Sequence, residues 1–228
     1  MTTAGSIPRP IHLWQKATWD EYAQIRDSHE ASNVDRVVPR VRLYFHRGAL
    51  PVDERPEGAD HAIMRDLFGL VFGLWLGRYS QKEAISQDGC LFEKAEEGAG
   101  MPDLAFYIDR DYPQSEENTR KIDLNRWRQP DLVGEISDTT LAIDLDQKKQ
   151  LYAALGIREY WVIDVHVRRV FLFFFNQSGE YQEGNESEAL RGLSKSLLEE
   201  TISKLKTMTI TEVADWFEAL IAHPSENA

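Results

Sequence analysis

One block, from Pro130 to Phe175, limits what this chain can fold into more than any other part of it. Pro130-Asp-Leu-Val-Gly-Glu135-Ile-Ser137 reads as a short apolar strand. Residues 141–155 follow as a helix, and Gly156 stands where a helix commonly stops in a left-handed conformation. Residues 159–165 and 167–175 are dense in β-branched and aromatic side chains, and the short turn near His166 makes them a hairpin. Upstream, residues 61–77 read as a long helix with Met64, Leu67, Phe68, Val71, Leu74 and Trp75 on its inner side. Residues 195–205 and 210–222 read as two closing helices. This order predicts an α/β fold: one mixed β-sheet of about five or six strands, flanked by α-helices.

The rest of the chain fits around that core. Its 228 residues, 42% of them hydrophobic, suffice for one well-packed domain. We expect a loose N-terminal arm over residues 1–17 and a single domain over 18–228. Thr18 with Glu21 reads as a capping box that opens a helix reaching about residue 32. Residues 37–46, 83–93 and 104–108 read as strands, and the polar stretches 109–129 and 177–188 as connections. The single cysteine, Cys90, excludes an intrachain disulfide and a cysteine zinc cluster, and it fits a reducing cytosol. The start of the chain lacks the pattern of a signal peptide. The most apolar run, 67–76, falls far short of the ~20 residues of a spanning helix, so a cytoplasmic protein without a membrane partner is expected.

A net charge of −12 argues against a nucleic-acid partner. The charge is uneven, however. Arg36, Arg40, Arg42, His46 and Arg47 form one basic cluster, and Arg120, Lys121, Arg126 and Arg128 a second. The stretch after Gly179 holds ten acids and four bases, so about half of the excess negative charge lies away from the candidate site.

Strand alternation puts Asp131, Val133, Glu135 and Ser137 on one face, and Leu132, Gly134 and Ile136 on the other. Both faces are largely apolar, so the strand is central and Glu135 lies inside, where a carboxylate needs a partner or a metal. Pro102-Asp103 opens another apolar strand; the ordinary reading of such an aspartate is a turn or cap. Of the two Pro-Asp pairs, Asp131 is the more structural. On the helix, Leu141, Leu145, Tyr152 and Leu155 share a stripe, with Lys148 in its middle. Lys148 either snorkels, or pairs with Asp144 one turn before, or points at the sheet carboxylates. Two carboxylates and an ammonium suit a divalent metal and phosphodiester hydrolysis.

No other constellation competes. Gly69, Gly73 and Gly77 are helix-spaced and make no phosphate loop. Six histidines lack zinc-ligand spacing. His61 alone reads as a cap or surface residue, and Asp164 as a turn-entry aspartate. Trp127, between Arg126 and Arg128, reads as a half-buried loop aromatic, with stacking on nucleic acid as the alternative.

Taken together, Pro130-Asp-Leu-Val-Gly-Glu135-Ile-Ser137, Asp144-x-x-x-Lys148-x-x-x-Tyr152-Ala-Ala-x-Gly156-Ile157 and Glu159-Tyr-Trp-Val-Ile-Asp164, with Pro102-Asp103 upstream, resemble the Uma-type restriction endonuclease family. That family is a bacterial branch of the PD-(D/E)XK nuclease superfamily. The resemblance is clear from about 101 to 175 and weak elsewhere. It implies a restriction-endonuclease-like core, Mg2+ or Mn2+ as cofactor and DNA as substrate. Asp103 and Glu135 would then be metal ligands, and Asp103, Glu135 and Lys148 the catalytic residues. The superfamily's usual lysine position, two after the glutamate, is Ser137 here; the resemblance moves the lysine to Lys148. His61 matches a histidine that opens a helix in many members, an accessory residue. Many members also carry an acid just before the glycine matching Gly48. Here Arg42-Leu-Tyr-Phe-His-Arg-Gly48 has none, and neither Asp53 nor Glu54 can be assigned in its place.

The leading expectation is therefore a metal-dependent DNA endonuclease. The alternative is a catalytically silent nuclease-fold module that binds or regulates. Cutting both strands commonly needs two sites, so a homodimer is a further expectation. Val213, Trp216, Phe217 and Leu220 on the last helix would either serve that interface or cover the core, the latter being favoured.

Overall fold

The computed structural model describes residues 15–32, 42–53, 57–80, 83–109, 111–114 and 121–222. Most of the expected arm, residues 1–14, lies outside these, as do Arg36, Arg40, Glu54, Arg120 and residues 37–41 of an expected strand. In chain order the elements begin with β1 (Gln15–Lys16), α1 (Trp19–Ser32), β2 (Arg42–Leu43), β3 (Phe45–His46), β4 (Ala49–Leu50), β5 (Val52–Asp53) and α2 (Ala59–Tyr79). Next come β6 (Ala84–Ser86), β7 (Leu91–Lys94), β8 (Gly98–Gly100), β9 (Leu104–Ile108), β10 (Lys121–Asp123) and β11 (Leu132–Ser137). A composite helix follows: α3 (Leu141–Ile143), a π-helical turn (Asp144–Lys148) and α4 (Lys149–Ala154). The chain closes with β12 (Glu159–Asp164), β13 (Arg169–Phe175), β14 (Tyr181–Gly184), α5 (Lys195–Lys204) and α6 (Ile210–Ala222).

The main sheet has six strands in the order β14-β13-β12-β11-β9-β6. It is mixed: β11 runs parallel to β12, from Val133 opposite Tyr160 to Ser137 opposite Asp164, and antiparallel to β9. The expected α/β core with flanking helices is present. The expectation of a single sheet is corrected, because β1, β4, β3, β8, β7 and β10 form a second six-stranded sheet and β2 pairs with β5. Strands of two to four residues carry no readable alternation, which is why that sheet does not show in the sequence. The expected strand over 83–93 is two strands. A turn at Asp88-Gly89, with Gly89 at φ 62°, breaks it and sends β6 to the main sheet and β7 to the second. The polar stretches 109–129 and 177–188 likewise contain β10 and β14.

All six residues of β11 are buried, as a strand with two apolar faces requires. Leu132 and Ile136 pack with Met64, Leu67, Phe68 and Phe72 of α2 and with Trp161. Val133 joins Leu151, Tyr152, Leu155, Tyr160 and Val162 on the opposite side. Each such fully buried side chain contributes roughly 1.5–3 kcal/mol. Thr18 and Glu21 form the expected capping box: Thr18 N donates to Glu21 Oε2 (2.7 Å) and Glu21 N to Thr18 Oγ1 (3.2 Å). In α6, Val213 and Phe217 are buried in the α2 core and Trp216 packs against it, so the apolar side of this helix covers the interior. No helix among the described residues is long and apolar enough to cross a membrane.

Candidate active site

Asp103 and Glu135 meet because β9 and β11 are neighbours. The ladder pairs Ala105 with Val133 and Leu104 with Gly134. One step further along the same register sets Asp103 opposite Glu135, on the face shared by Ala105 and Val133. Both carboxylates are buried, with Asp103 only 2% exposed and Glu135 1%. Asp103 is thus an interior residue, against its ordinary reading as a turn or cap aspartate. Its Oδ2 accepts from Ile136 N (2.8 Å) and lies 3.1 Å from Nε2 of His61, in the first turn of α2. Its Oδ1 faces the guanidinium of Arg42.

Lys148 reaches the same place from the composite helix. Its Nζ lies 2.9 Å from Glu135 Oε2 and 2.9 Å from Asp144 Oδ1, and 4.5 Å from the centroid of the Tyr44 ring. Of the readings open to Lys148, snorkelling is not what occurs; it pairs with Asp144 and meets the sheet carboxylate together. Glu135 Oε1 accepts from the Tyr152 hydroxyl, and Asp144 Oδ2 from Thr140 Oγ1 (2.6 Å). Asp144 and Lys148, four residues apart at the two ends of the π turn, both face inward, and Leu151 and Tyr152 of α4 stay buried beyond them.

The environment pushes the two carboxylates apart. Burial works against ionised Asp103, but His61 and then Arg42 more than offset it and hold the group below the usual carboxylate range. Glu135 is pushed up to about 8, first by burial and also by the charges of Asp103 and Asp144, with Lys148 pulling the other way. Burial disfavours the Lys148 ammonium, yet Asp144 and Glu135 outweigh it and raise its pKa. One ammonium is thus shared between two buried carboxylates.

Several partners were not singled out in the sequence. Glu57 Oε1 takes the other arm of Arg42 at 2.7 Å, and Glu57 also pairs with Arg65. Glu57, His61 and Asp103 each offer a ligand atom, all within 4.8 Å of one another. The one signal for Glu57 is its place four residues before His61. Tyr152 stands in the helix's apolar stripe and in the quoted motif without a role, and Tyr44 only within an expected strand. Other residues keep their ordinary roles. Asp131 accepts from Ile108 N (2.6 Å) and pairs with Arg128 (3.0 Å). Asp164 caps its turn by accepting from His166 N and Val167 N. Trp127 is half-buried, with the Arg126 guanidinium 5.9 Å from its ring. Ser137, at the superfamily's usual lysine position, is buried and adds no charge.

Arg42, Tyr44, Glu57, His61, Asp103, Glu135 and Lys148 line one cavity of about 200 Å³. A larger cavity, about 1060 Å³, lies at the other end of the strands beside Asp131 and Glu159. It is lined by Trp75, Tyr79, Arg158 and Arg191, with no lysine among the described residues of its lining. The small cavity is the one that holds the two carboxylates and the ammonium together.

The residues of the small cavity fit a divalent metal. His61 Nδ1 is buried and takes part in no hydrogen bond, Asp103 Oδ1 is held only by the Arg42 guanidinium, and the surrounding donors are mainly hard carboxylate oxygens.

No curated protein matches the chain. Among solved structures, one match is the crystal structure of "a putative nuclease belonging to DUF820" from Anabaena variabilis. It is 18% identical with a TM-score of 0.49, and the match covers 88% of this chain and 98% of that one. The Uma2 family, described as "Putative restriction endonuclease", matches residues 19–209. That span takes in both sheets' central strands, the composite helix and every residue lining the small cavity, and the chain belongs to the Uma2 family.

Proposed function

We propose that this chain is a metal-dependent DNA endonuclease that hydrolyses phosphodiester bonds at Asp103, Glu135 and Lys148. The observation that carries the reading is the convergence of two buried carboxylates and a buried ammonium in one cavity, with Lys148 Nζ 2.9 Å from Glu135 Oε2. Asp103 and Glu135 would hold Mg2+ or Mn2+, with His61 beside them as an accessory. When bound, such an ion acts as a Lewis acid on a phosphoryl oxygen and lowers the pKa of water. Lys148 supplies a fixed positive charge where negative charge grows on the phosphorus oxygens, in a site largely closed to water. Asp144 and Tyr152 hold Lys148 and Glu135 in register, so little reorganisation is needed during the reaction. His61 fixes the plane of Asp103.

The test is incubation of the purified chain with plasmid DNA and Mg2+ or Mn2+. Nicking or cutting is expected, with Glu135→Ala and Lys148→Ala each reducing it by about 10²–10³-fold or more. Cleavage that persists unchanged in both variants would sink the site assignment. The second reading, a silent nuclease-fold binding module, is favoured by one observation: the Arg42 guanidinium sits on Asp103 Oδ1. DNA binding without cleavage under any divalent metal would select it.

A further inference from the structure

We infer that Arg42 is a resident cation of this site, one that competes with a divalent ion for Asp103 and sets the affinity for that ion. The inference rests on the metal reading of Asp103 given above. Asp103 has little to offer a ligand besides Oδ1, because Oδ2 already serves Ile136 N at 2.8 Å and His61 Nε2 at 3.1 Å. Arg42 takes that remaining oxygen with one arm of its guanidinium. Its other arm holds Glu57 Oε1 at 2.7 Å.

Without Arg42, Asp103 Oδ1 would be a buried anion with no partner, which is costly. With Arg42 in place, a dication arriving at the same oxygen meets a full positive charge a few ångströms away. The two cannot share it cheaply at the low dielectric of a buried site. Arg42 also has somewhere to go. Glu57 is an exposed residue, its side chain 25% accessible, and keeps the guanidinium paired after it leaves Asp103. The backbone that carries Arg42 is a two-residue strand that, among the described residues, pairs with Val52–Asp53. Paired with Glu57, the guanidinium stays at the wall of the cavity, which Glu57 also lines.

The experiment is calorimetric titration of the full chain with Mn2+ alone, without DNA. Arg42→Ala is expected to bind Mn2+ about tenfold more tightly than the wild type, or better. Arg42→Lys, which keeps the charge but loses the two-armed bridge, is expected between them. Adding Asp103→Asn to Arg42→Ala is expected to abolish the gain. Binding by Arg42→Ala equal to or weaker than the wild type overturns the inference and leaves the metal reading intact. No Mn2+ binding by the wild type, Arg42→Ala or Arg42→Lys removes the metal reading and this inference with it. Should Arg42→Ala fail to fold, as judged by circular dichroism, the comparison of Arg42→Lys with the wild type decides in the same way.

Discussion

Glu135 and Glu159 are both glutamates inside the main sheet, and their surroundings treat them differently. Glu135 shares an ammonium. Among the described residues Glu159 has no cation on it: its carboxylate accepts from Trp161 Nε1 and Ser187 Oγ (both 2.6 Å) and from the backbone N–H groups of Glu188 and Ala189. Burial outweighs those four donors and pushes Glu159 up to about 7. A carboxyl raised in the folded state stabilises the fold fully below its unfolded value of 4.5, and that contribution is lost as pH climbs through about 7. The loss amounts to at most about 3.5 kcal/mol at ~1.4 kcal/mol per unit. Urea unfolding of the wild type and Glu159→Gln between pH 4.5 and 8 checks this. The stability of the wild type relative to the variant is expected to fall across that window, and a constant difference would contradict it. At this scale the sequence was readable where a pattern constrained a residue. Alternation buried Glu135, and the helical stripe placed Lys148. Glu57 and Arg42 were opaque as site residues, since loop position and the reach of a long side chain leave no periodic trace.

Secondary-structure elements were legible in proportion to their length. The 21-residue α2, the six-residue β11 and β12 and the closing helices stand where the sequence put them. The strands of two to four residues in the second sheet do not announce themselves, because their pairing comes from tertiary neighbours. Gly98 illustrates this: a Cβ there would lie 2.8 Å from Leu151 Cδ1, so β8 needs a glycine to let α4 approach. The sequence shows only a Gly-Ala-Gly that resembles a turn. The composite helix was read as a plain α-helix, and its π turn was not foreseen. Apolar spacing averages over a single extra residue, and Lys148 falls on the inner face by either account. The π turn makes a direct prediction. Asp146 is an exposed residue within it, and deleting Asp146 would let the turn relax to α-helical pitch, leaving Asp144 three residues before Lys148 and changing the contact between them. Helical circular dichroism should stay close to that of the wild type while nuclease activity falls at least ~100-fold, in line with loss of a preorganised charge. Activity within a factor of about two of the wild type would show that the turn merely fills space.

The whole molecule is organised around α2, which spans about 30 Å at 1.5 Å per residue. Its N-terminal end presents His61 to Asp103. Its C-terminal end is held by the last part of the chain: Tyr79 Oη donates to Ile221 O (2.7 Å), Arg78 to Ala222 O (3.2 Å) and Trp75 Nε1 to Arg191 O (3.3 Å). Phe217 lies fully buried in the same core, its ring centroid 6.4 Å from that of Trp75. Phe217→Ala is expected to cost about 3–5 kcal/mol, read as a lower midpoint in chemical denaturation. A loss under about 1 kcal/mol would mean that the closing helix is only loosely seated. A helix fixed at both ends behaves mechanically as a strut. α2 thus joins, through one continuous element, the core under the closing helix at one end and Asp103 at the other. Whatever covers the last helix therefore rests on the same element that carries the site histidine at its far end.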